Sequence, residues 1–177
     1  MTAKCCFPPV VNDSTRLLIL GSLPGDASLV AARYYAHPRN QFWRLLEAVL
    51  GVALVDCDYD ERLQRLLENG VGLWDVVGQA ARRGSLDTAL RDITYNNLTE
   101  LVGRLPALQA VAFNGQTAAR GRRQLLDWDG DLVILPSSSP AHTMAFETKL
   151  AEWRALVHYL PDAPALLDCN IHLGEHD

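Results

Sequence analysis

The amino-acid sequence predicts an α/β fold in a single domain. Short apolar runs alternate along the chain with longer amphipathic stretches, a pattern typical of buried strands alternating with surface helices. The 177 residues fit one domain with one sizeable core, and the 49% hydrophobic and 21% charged residues lie close to globular averages. We therefore expect one domain over residues 1–177, with its core at about 16–160 and a tail at 161–177.

Four apolar runs predict the strands. Residues 17–20 stop at Gly21, residues 110–113 stop at the turn-forming pair Asn114 and Gly115, and residues 132–135 stop at Pro136. Residues 71–77 are a less regular strand candidate between them. The carboxyl ends of such strands are where an α/β fold usually binds its ligand.

Amphipathic patterns predict helices at residues 41–49, 61–68, 97–105, 116–126 and 146–160. Asn97 followed by Glu100 is typical of a capping box. The last pattern is the clearest, and its apolar residues are Phe146, Leu150, Trp153, Val157 and Leu160. Pro161 and Pro164 end this helix, and we expect residues 165–177 to form a loose tail.

The chain is acidic, since 16 Lys and Arg against 21 Asp and Glu give a net charge of −5. This balance excludes a wholly basic nucleic-acid-binding surface, so that any contact with DNA must come from a local patch. Two dense basic clusters could supply that contact, Arg82 with Arg83 and the group Arg120, Arg122 and Arg123.

The sequence also indicates a cytoplasmic protein without a metal or another cofactor. No apolar stretch approaches the ~20 residues of a membrane helix, and the N-terminus does not resemble a secretory signal. The four cysteines include no CxxC pair, which argues against a zinc ribbon or an iron–sulfur cluster and fits a reduced compartment. Cys169, His172 and His176 lie near the end of the chain, where we expect a frayed terminus rather than a metal site.

Three strand exits are unusual: residues 21–25, the pair Asn114 and Gly115, and residues 136–142. Residues 21–25, the glycine loop, match neither a nucleotide-binding loop nor a nucleophile elbow. One interpretation of this loop is therefore a tight turn between a strand and a helix, without a role in binding. Residues 136–142, the serine loop, carry hydroxyl groups that favour a phosphate site at the start of a helix. These hydroxyls could equally cap a helix beginning near Thr143, and both interpretations can hold together.

An aromatic stretch at residues 34–43 follows the glycine loop. Aromatic rings beside a carboxamide could stack on a nucleic-acid base and bind a water molecule, with Asn40 as the carboxamide. The alternatives are core packing for Phe42 and Trp43, which we favour for Trp43, and helix capping for Asn40.

Three motifs together resemble the uracil-DNA glycosylase superfamily, in the branch of mismatch-specific and hypoxanthine-DNA glycosylases. They are Gly-Ser-Leu-Pro-Gly at 21–25, Tyr-Ala-His-Pro-Arg-Asn-Gln-Phe-Trp at 35–43 and Leu-Pro-Ser-Ser-Ser-Pro-Ala-His at 135–142. The resemblance implies a three-layer α/β/α sandwich around a short, mainly parallel central sheet. It also implies a monofunctional, metal-free glycosylase whose partner is double-stranded DNA with a deaminated or mismatched base, and we expect a monomer.

The resemblance assigns roles to individual residues. Asn40 would position the attacking water. Asp26, which directly follows the glycine loop, is a second candidate for activating the water. The other interpretation of Asp26 is a solvated turn residue. The base and its sugar would be contacted by Gly21, Ser22, Leu23, Pro24, Gly25, Tyr35, His37, Phe42 and Asn114. The DNA backbone and the gap left by the flipped base would be contacted by Ser137, Ser138, Ser139, Pro140, Ala141 and His142.

Two positions depart from the family pattern. Leu23 stands where mismatch-specific enzymes place the Asn that positions the water, and the hypoxanthine branch is thought to use the position of Asn40 instead. Ala141 stands where uracil-specific members often have a Leu that fills the gap in the stack.

We therefore predict a glycosylase of base excision repair that flips out and hydrolyses deaminated bases, namely hypoxanthine, uracil or both. One alternative is a non-catalytic relative that binds lesion DNA, which the apolar Leu23 motivates. The other is a small-molecule hydrolase that uses Ser22 or Ser138 with His37 or His142.

Overall fold

The computed structural model describes residues 3–161 of the chain. The predictions for the tail, including Cys169, His172 and His176, fall outside these residues. The strands are β1 (Ala3–Cys5), β2 (Leu17–Gly21), β3 (Val71–Asp75), β4 (Val77–Ala81), β5 (Arg91–Tyr95), β6 (Ala110–Asn114) and β7 (Asp131–Leu135). The α-helices are α1 (Asp26–Ala31), α2 (Phe42–Leu50), α3 (Tyr59–Glu68), α4 (Leu98–Gly103) and α5 (Phe146–Trp153). Short 3₁₀ helices span Asp87–Ala89, Ala118–Leu125 and Arg154–Tyr159.

The central sheet has four parallel strands in the order β3-β2-β6-β7. Its innermost strands, β2 and β6, are buried at every position, which is why their sequences are continuous apolar runs rather than alternating ones. Burial of each large aliphatic side chain in these strands stabilises the fold by about 1.5–3 kcal/mol.

Helices cover both faces of this sheet, as the predicted three-layer α/β/α sandwich requires. Leu17 and Ile19 of β2 pack in one apolar cluster with residues of α2, α3 and α5. Leu18 and Leu20 pack in a second cluster with α4 and the 3₁₀ helix Ala118–Leu125. Successive side chains of a strand point to opposite faces, so one short strand contributes to both cores.

A second sheet was not predicted from the sequence. It is antiparallel, with the strand order β1-β4-β5. The strand predicted at 71–77 is interrupted at Val76: residues 71–75 form β3 of the parallel sheet, and residue 77 begins β4 of the antiparallel sheet. Most of β5 is exposed, so its sequence lacks the apolar run that marks a buried strand.

Several helices also differ from their predicted form. The pattern at 116–126 is a 3₁₀ helix, and the long helix predicted at 146–160 divides into α5 and the 3₁₀ segment Arg154–Tyr159. The short helix α1 was missed. Asn97 is the N-cap of α4, as predicted, because its side chain accepts a hydrogen bond from the backbone N–H of Glu100 at 3.1 Å.

The four parallel strands end together at one edge of the sheet, at Gly21, Asp75, Asn114 and Leu135. The loops that follow them carry the polar residues described next. Between residues 3 and 161, no helix is long and apolar enough to cross a membrane.

Candidate active site

A cavity of about 730 Å³ lies at the carboxyl edge of the parallel sheet. It is lined by the glycine loop, part of the 34–40 segment, the serine loop and residues 85–88 of the β4–β5 loop (residues 82–90). Of the residues predicted to form the site, all line this cavity except Asp26 and Phe42. The tertiary fold therefore brings together three motifs that are far apart in the sequence.

Gly21 lies at the most crowded point of the cavity. A Cβ atom added there would lie 2.6 Å from Asp75 Oδ1 and 2.9 Å from the Tyr35 hydroxyl. Only glycine leaves room for both side chains, so packing requires a glycine at the start of the glycine loop.

Tyr35 and Phe42 form a stacked pair. Their ring centroids are 3.6 Å apart with an interplanar angle of 12°, and Tyr35 has a left-handed backbone with φ of 53°. Phe42 is fully buried and supports the ring of Tyr35. Direct substrate contact by Phe42 does not fit this burial, because its face is already covered by Tyr35; the sequence could not reveal which of the two rings faces the cavity.

Asp75 is a cavity residue that sequence reasoning missed. It is only 3% exposed, and its Oδ2 has no hydrogen-bond partner among residues 3–161. Burial raises the pKa of Asp75 to about 7, and the nearby carboxylate of Asp87 adds to the increase whereas Arg82 opposes it. The sequence feature that could have indicated Asp75 is its place near the end of the strand predicted at 71–77, since strand ends are where such a fold binds its ligand.

A buried arginine and a carboxylate brace the glycine loop. The Ser22 hydroxyl donates to Asp87 Oδ1 at 2.7 Å, and Arg82 donates to the carbonyl of Pro24 while lying 3.8 Å from Asp87. Arg82 is buried, so the proposed contact of this arginine with DNA phosphate is wrong: it is a loop support. Arg83 beside it is exposed.

Asn40 lines the cavity and lies directly before Gln41, the N-cap of α2, so the predicted helix cap at Asn40 is wrong by one residue. Its Oδ1 accepts from the backbone N–H of Phe42, the first residue of α2, at 3.0 Å. This carbonyl oxygen keeps a second lone pair for another partner. His37 lies beside it, and its Nδ1 accepts from the backbone N–H of Arg39 at 3.1 Å.

Two residues of the first motif region do not supply polar groups to the cavity. Asp26 forms an ion pair with Lys4 at the start of α1 and lies outside the cavity lining, so water activation by Asp26 does not fit its position. Leu23 packs in a small apolar cluster with Val77 and Ala80. The second sheet thus creates the apolar site that makes a leucine favourable here.

Asn114 fixes the serine loop. Its amide donates to Ser138 Oγ at 2.9 Å and accepts from the backbone N–H of Ser138 at 2.9 Å, and both residues are buried. Because both sides of this amide are engaged by Ser138, Asn114 is a positioning residue for the loop. Contact of Asn114 with the edge of a base stays a prediction.

Three hydrogen bonds from α5 and from the N-cap of α2 also hold the serine loop. Trp153 Nε1 donates to the carbonyl of Pro136 at 2.9 Å, the N–H of Gln41 donates to the carbonyl of Ser138 at 3.0 Å, and Lys149 donates to the carbonyl of Ser139 at 3.4 Å. Lys149 is buried, and this burial lowers its pKa. Its ammonium group places positive charge beneath the loop.

The serine hydroxyls do not cap a helix near Thr143. The oxygens of Ser137 and Ser139 accept from backbone N–H groups two residues further on, and the next helix, α5, begins only at Phe146. The loop is therefore a series of local turns. Pro140, Ala141 and His142 are exposed at its rim.

This arrangement has known relatives. The family model of the uracil DNA glycosylase superfamily matches residues 8–161. The chain belongs to this superfamily. It is 40% identical over 147 residues to a protein named hypoxanthine DNA glycosylase from Methanosarcina barkeri, which covers 83% of this chain and 93% of that protein.

Two further comparisons agree with this membership. A protein with the same name from Methanosarcina acetivorans is 37% identical over 153 residues, covering 86% of this chain and 97% of that protein. The solution NMR structure of a candidate uracil DNA glycosylase from Methanosarcina acetivorans superimposes with a TM-score of 0.81 at 36% identity. That match covers 88% of this chain and 97% of the other.

Proposed function

We propose that this superfamily member is a monofunctional DNA glycosylase of base excision repair that removes deaminated bases, namely hypoxanthine, uracil or both. The observation that carries the proposal is one cavity in which the aromatic Tyr35, the buried Asp75 and the amide of Asn40 line the same space. The names of the two relatives from Methanosarcina support hypoxanthine as a substrate.

The chemistry needs two charges to be stabilised. Hydrolysis of an N-glycosidic bond passes through a state with cationic character on the sugar and negative charge on the departing base, as glycoside cleavage does. A duplex base reaches the cavity only after leaving the stack, which costs a few kcal/mol and costs least for a mispaired base. Deaminated bases in wobble pairs are thus selected partly by their ease of opening.

Tyr35 and Asp75 would bind the flipped base. The Tyr35 ring is held from behind by Phe42, which leaves its other side for stacking on a base. The raised pKa of Asp75 keeps this carboxyl protonated below about pH 7, when it can donate a hydrogen bond. A donor aimed at an oxygen or ring nitrogen of the base would stabilise the leaving group as an oxyanion-hole donor does.

Asn40 would hold the attacking water. The hydrogen bond from the Phe42 N–H fixes the orientation of its amide and leaves a second lone pair for a water molecule. An amide is a weak base, which suffices when the base departs first and the sugar cation is already reactive. Water attack at C1′ then releases the free base and leaves an abasic site.

The serine loop would contact the DNA backbone, with Lys149 beneath it adding positive charge. Among the arginine clusters, the exposed Arg122 and Arg123 are available for phosphate contacts, and none of the ion pairs among residues 3–161 involves either. They line a depression that shares Ile134 with the main cavity. We propose a monomer as the working form, since residues of one chain suffice to build the cavity.

The test is the variant Asn40→Ala. We expect it to lose most base release while it still binds duplexes that contain the lesion. Asn97→Ala is the matched control, because it also removes an asparagine whose Oδ1 accepts from an N–H in the first turn of a helix, but Asn97 lies outside the cavity lining. Undiminished base release by Asn40→Ala would refute the role of Asn40.

A substrate panel tests the class of reaction. Duplexes with inosine, uracil, xanthine or a G:T pair, followed by cleavage at abasic sites, give activity and preference in one experiment. Specific binding of a lesion duplex without abasic-site formation would favour the non-catalytic alternative, which Leu23 supports because its buried side chain offers no polar group. The serine-hydrolase alternative is not favoured, since among the described residues Ser22 bonds to Asp87 and Ser138 to Asn114, and neither bonds to a histidine.

A further inference from the structure

Leu86 is an apolar side chain on the rim of the cavity. It is 58% exposed and it lines the cavity, whereas Val30 and Leu126, the other large apolar residues between residues 3 and 161 with more than half of their surface exposed, do not. Exposure of a leucine to water at this point contributes nothing to the hydrophobic core.

The β4–β5 loop that carries Leu86 is firmly held. Lys4 Nζ donates to the carbonyl of Gly84 at 2.7 Å, and Ser85 Oγ accepts from the N–H of Asp26 at 2.8 Å. On the other side of Leu86, Asp87 accepts from Ser22 and begins a 3₁₀ helix. Leu86 is thus presented to solvent between two anchored neighbours, and little conformational freedom remains to be lost on binding.

Leu86 and the serine loop line the cavity from different parts of the fold. The β4–β5 loop joins two strands of the antiparallel sheet, and Asp87 next to Leu86 accepts from Ser22 at the end of β2, whereas the serine loop follows β7, an edge strand of the parallel sheet. At its exposed rim the serine loop has Ala141, whose side chain is a single methyl group.

A base that leaves the duplex opens a gap, and proteins that distort DNA often insert an apolar wedge between base steps. We propose that Leu86 is this wedge, entering the base stack from the β4–β5 loop while the target base occupies the cavity. The inference rests on the proposed glycosylase function and adds the residue that makes duplex DNA a substrate.

Leu86→Ala tests this role through the difference between duplex and single-stranded substrates. Loss of the wedge should lower kcat/KM on a paired duplex by about 10-fold or more, the effect expected when one leucine no longer buries its surface. Activity on the same lesion in single-stranded DNA should change less than about twofold, because no stack has to be opened. Leu86→Met should keep the duplex activity, and Val30→Ala, at a site 90% exposed outside the cavity, should match the wild type.

A fluorescence measurement separates the wedge from catalysis. In the Asn40→Ala background, 2-aminopurine beside the target base should brighten on binding, and Leu86→Ala should abolish this signal. Equal losses on duplex and single strand, or an unchanged duplex rate, would overturn the proposal. A duplex-only loss in His142→Ala or Met144→Ala, but not in Leu86→Ala, would assign the wedge to the serine-loop side. If the wild type releases no base from any DNA, the proposed function fails, and the fluorescence still decides the role of Leu86.

Discussion

Replacement of Asp75 by Asn should change how stability depends on pH. The folded chain holds the Asp75 proton up to about pH 7, whereas in an unfolded chain the same group has a pKa near 3.8. Because the folded state binds more protons between these values, the free energy of unfolding of the wild type falls as pH rises from about 4 to about 7. The stability that the protonated carboxyl retains at low pH is lost above pH 7.

The size of this effect follows from the burial of the carboxyl. A difference of about three pKa units corresponds to about 4 kcal/mol, and solvent screening takes little from it because the side chain is 3% exposed. About 3 kcal/mol of this should be visible between pH 5 and pH 8. Asn cannot titrate, and any cost of burying its amide is the same at every pH, so the change with pH isolates the carboxyl.

Urea denaturation of both proteins at several pH values between 5 and 8 measures the effect. The unfolding free energy of the wild type, relative to that of Asp75→Asn, should decrease steadily to about pH 7 and then level off. Asp56→Asn, at an exposed loop position, is the control and should follow the wild type in parallel. Parallel curves for Asp75→Asn and the wild type would refute the raised pKa.

Three further predictions concern the cavity and its surroundings. Gly21→Ala should reduce base release more than 10-fold and lower the melting temperature, because its Cβ would lie 2.6 Å from Asp75 Oδ1, and both are measured on purified protein. Asn114→Ala should lower the free energy of unfolding by about 1–3 kcal/mol in urea titrations, because it leaves a buried N–H of the serine loop unpaired. Joint replacement of Arg122 and Arg123 by Gln should weaken DNA binding and reduce the slope of log K against log salt by about 1–2.

Matched variants separate these effects from general damage. Gly103→Ala adds a Cβ that meets nothing within 4 Å, so it should leave both activity and melting temperature close to the wild type. Joint replacement of Arg104 and Arg154 by Gln removes the same charge from positions outside both cavities. An equal change of salt slope in this control would show that net charge, rather than a local phosphate contact, governs binding. Full stability of Asn114→Ala would contradict the bracing role of its amide.

The pH dependence of base release gives a second check on the carboxyl of Asp75. If the protonated form of Asp75 donates to the base, wild-type activity should decline as pH rises through about 7. Asp75→Asn keeps an N–H donor at every pH, so its profile should be flatter over that range. Single-turnover rates at saturating enzyme measure this, and identical profiles would count against a donor role.

Local sequence determined the parts of the fold that depend on near neighbours. The strands β2, β6 and β7 lie within one residue of their predicted bounds. For β2 and β6 the reason is burial on both faces, which needs a continuous apolar run, whereas β7 is an edge strand that is only partly buried. The motifs around Gly21, Asn40 and Ser138 likewise come from short segments in which residue type and spacing are informative. Their meeting in one cavity follows from the parallel topology, which brings strand ends to one edge.

Tertiary structure alone decided which side chains reach the cavity. Burial and the interaction of charges depend on residues that are distant in the sequence. Burial and the nearby carboxylate of Asp87 raise the pKa of Asp75. Arg82 is buried against the glycine loop, whereas Arg122 is exposed. The β4–β5 hairpin that carries Leu86 has no apolar run to predict it, since β5 is mostly exposed and β4 buries only Val77 and Ala80. The local sequence pattern indicates which side chains of a segment are buried. Which residues of other segments these side chains contact is determined only by the tertiary structure.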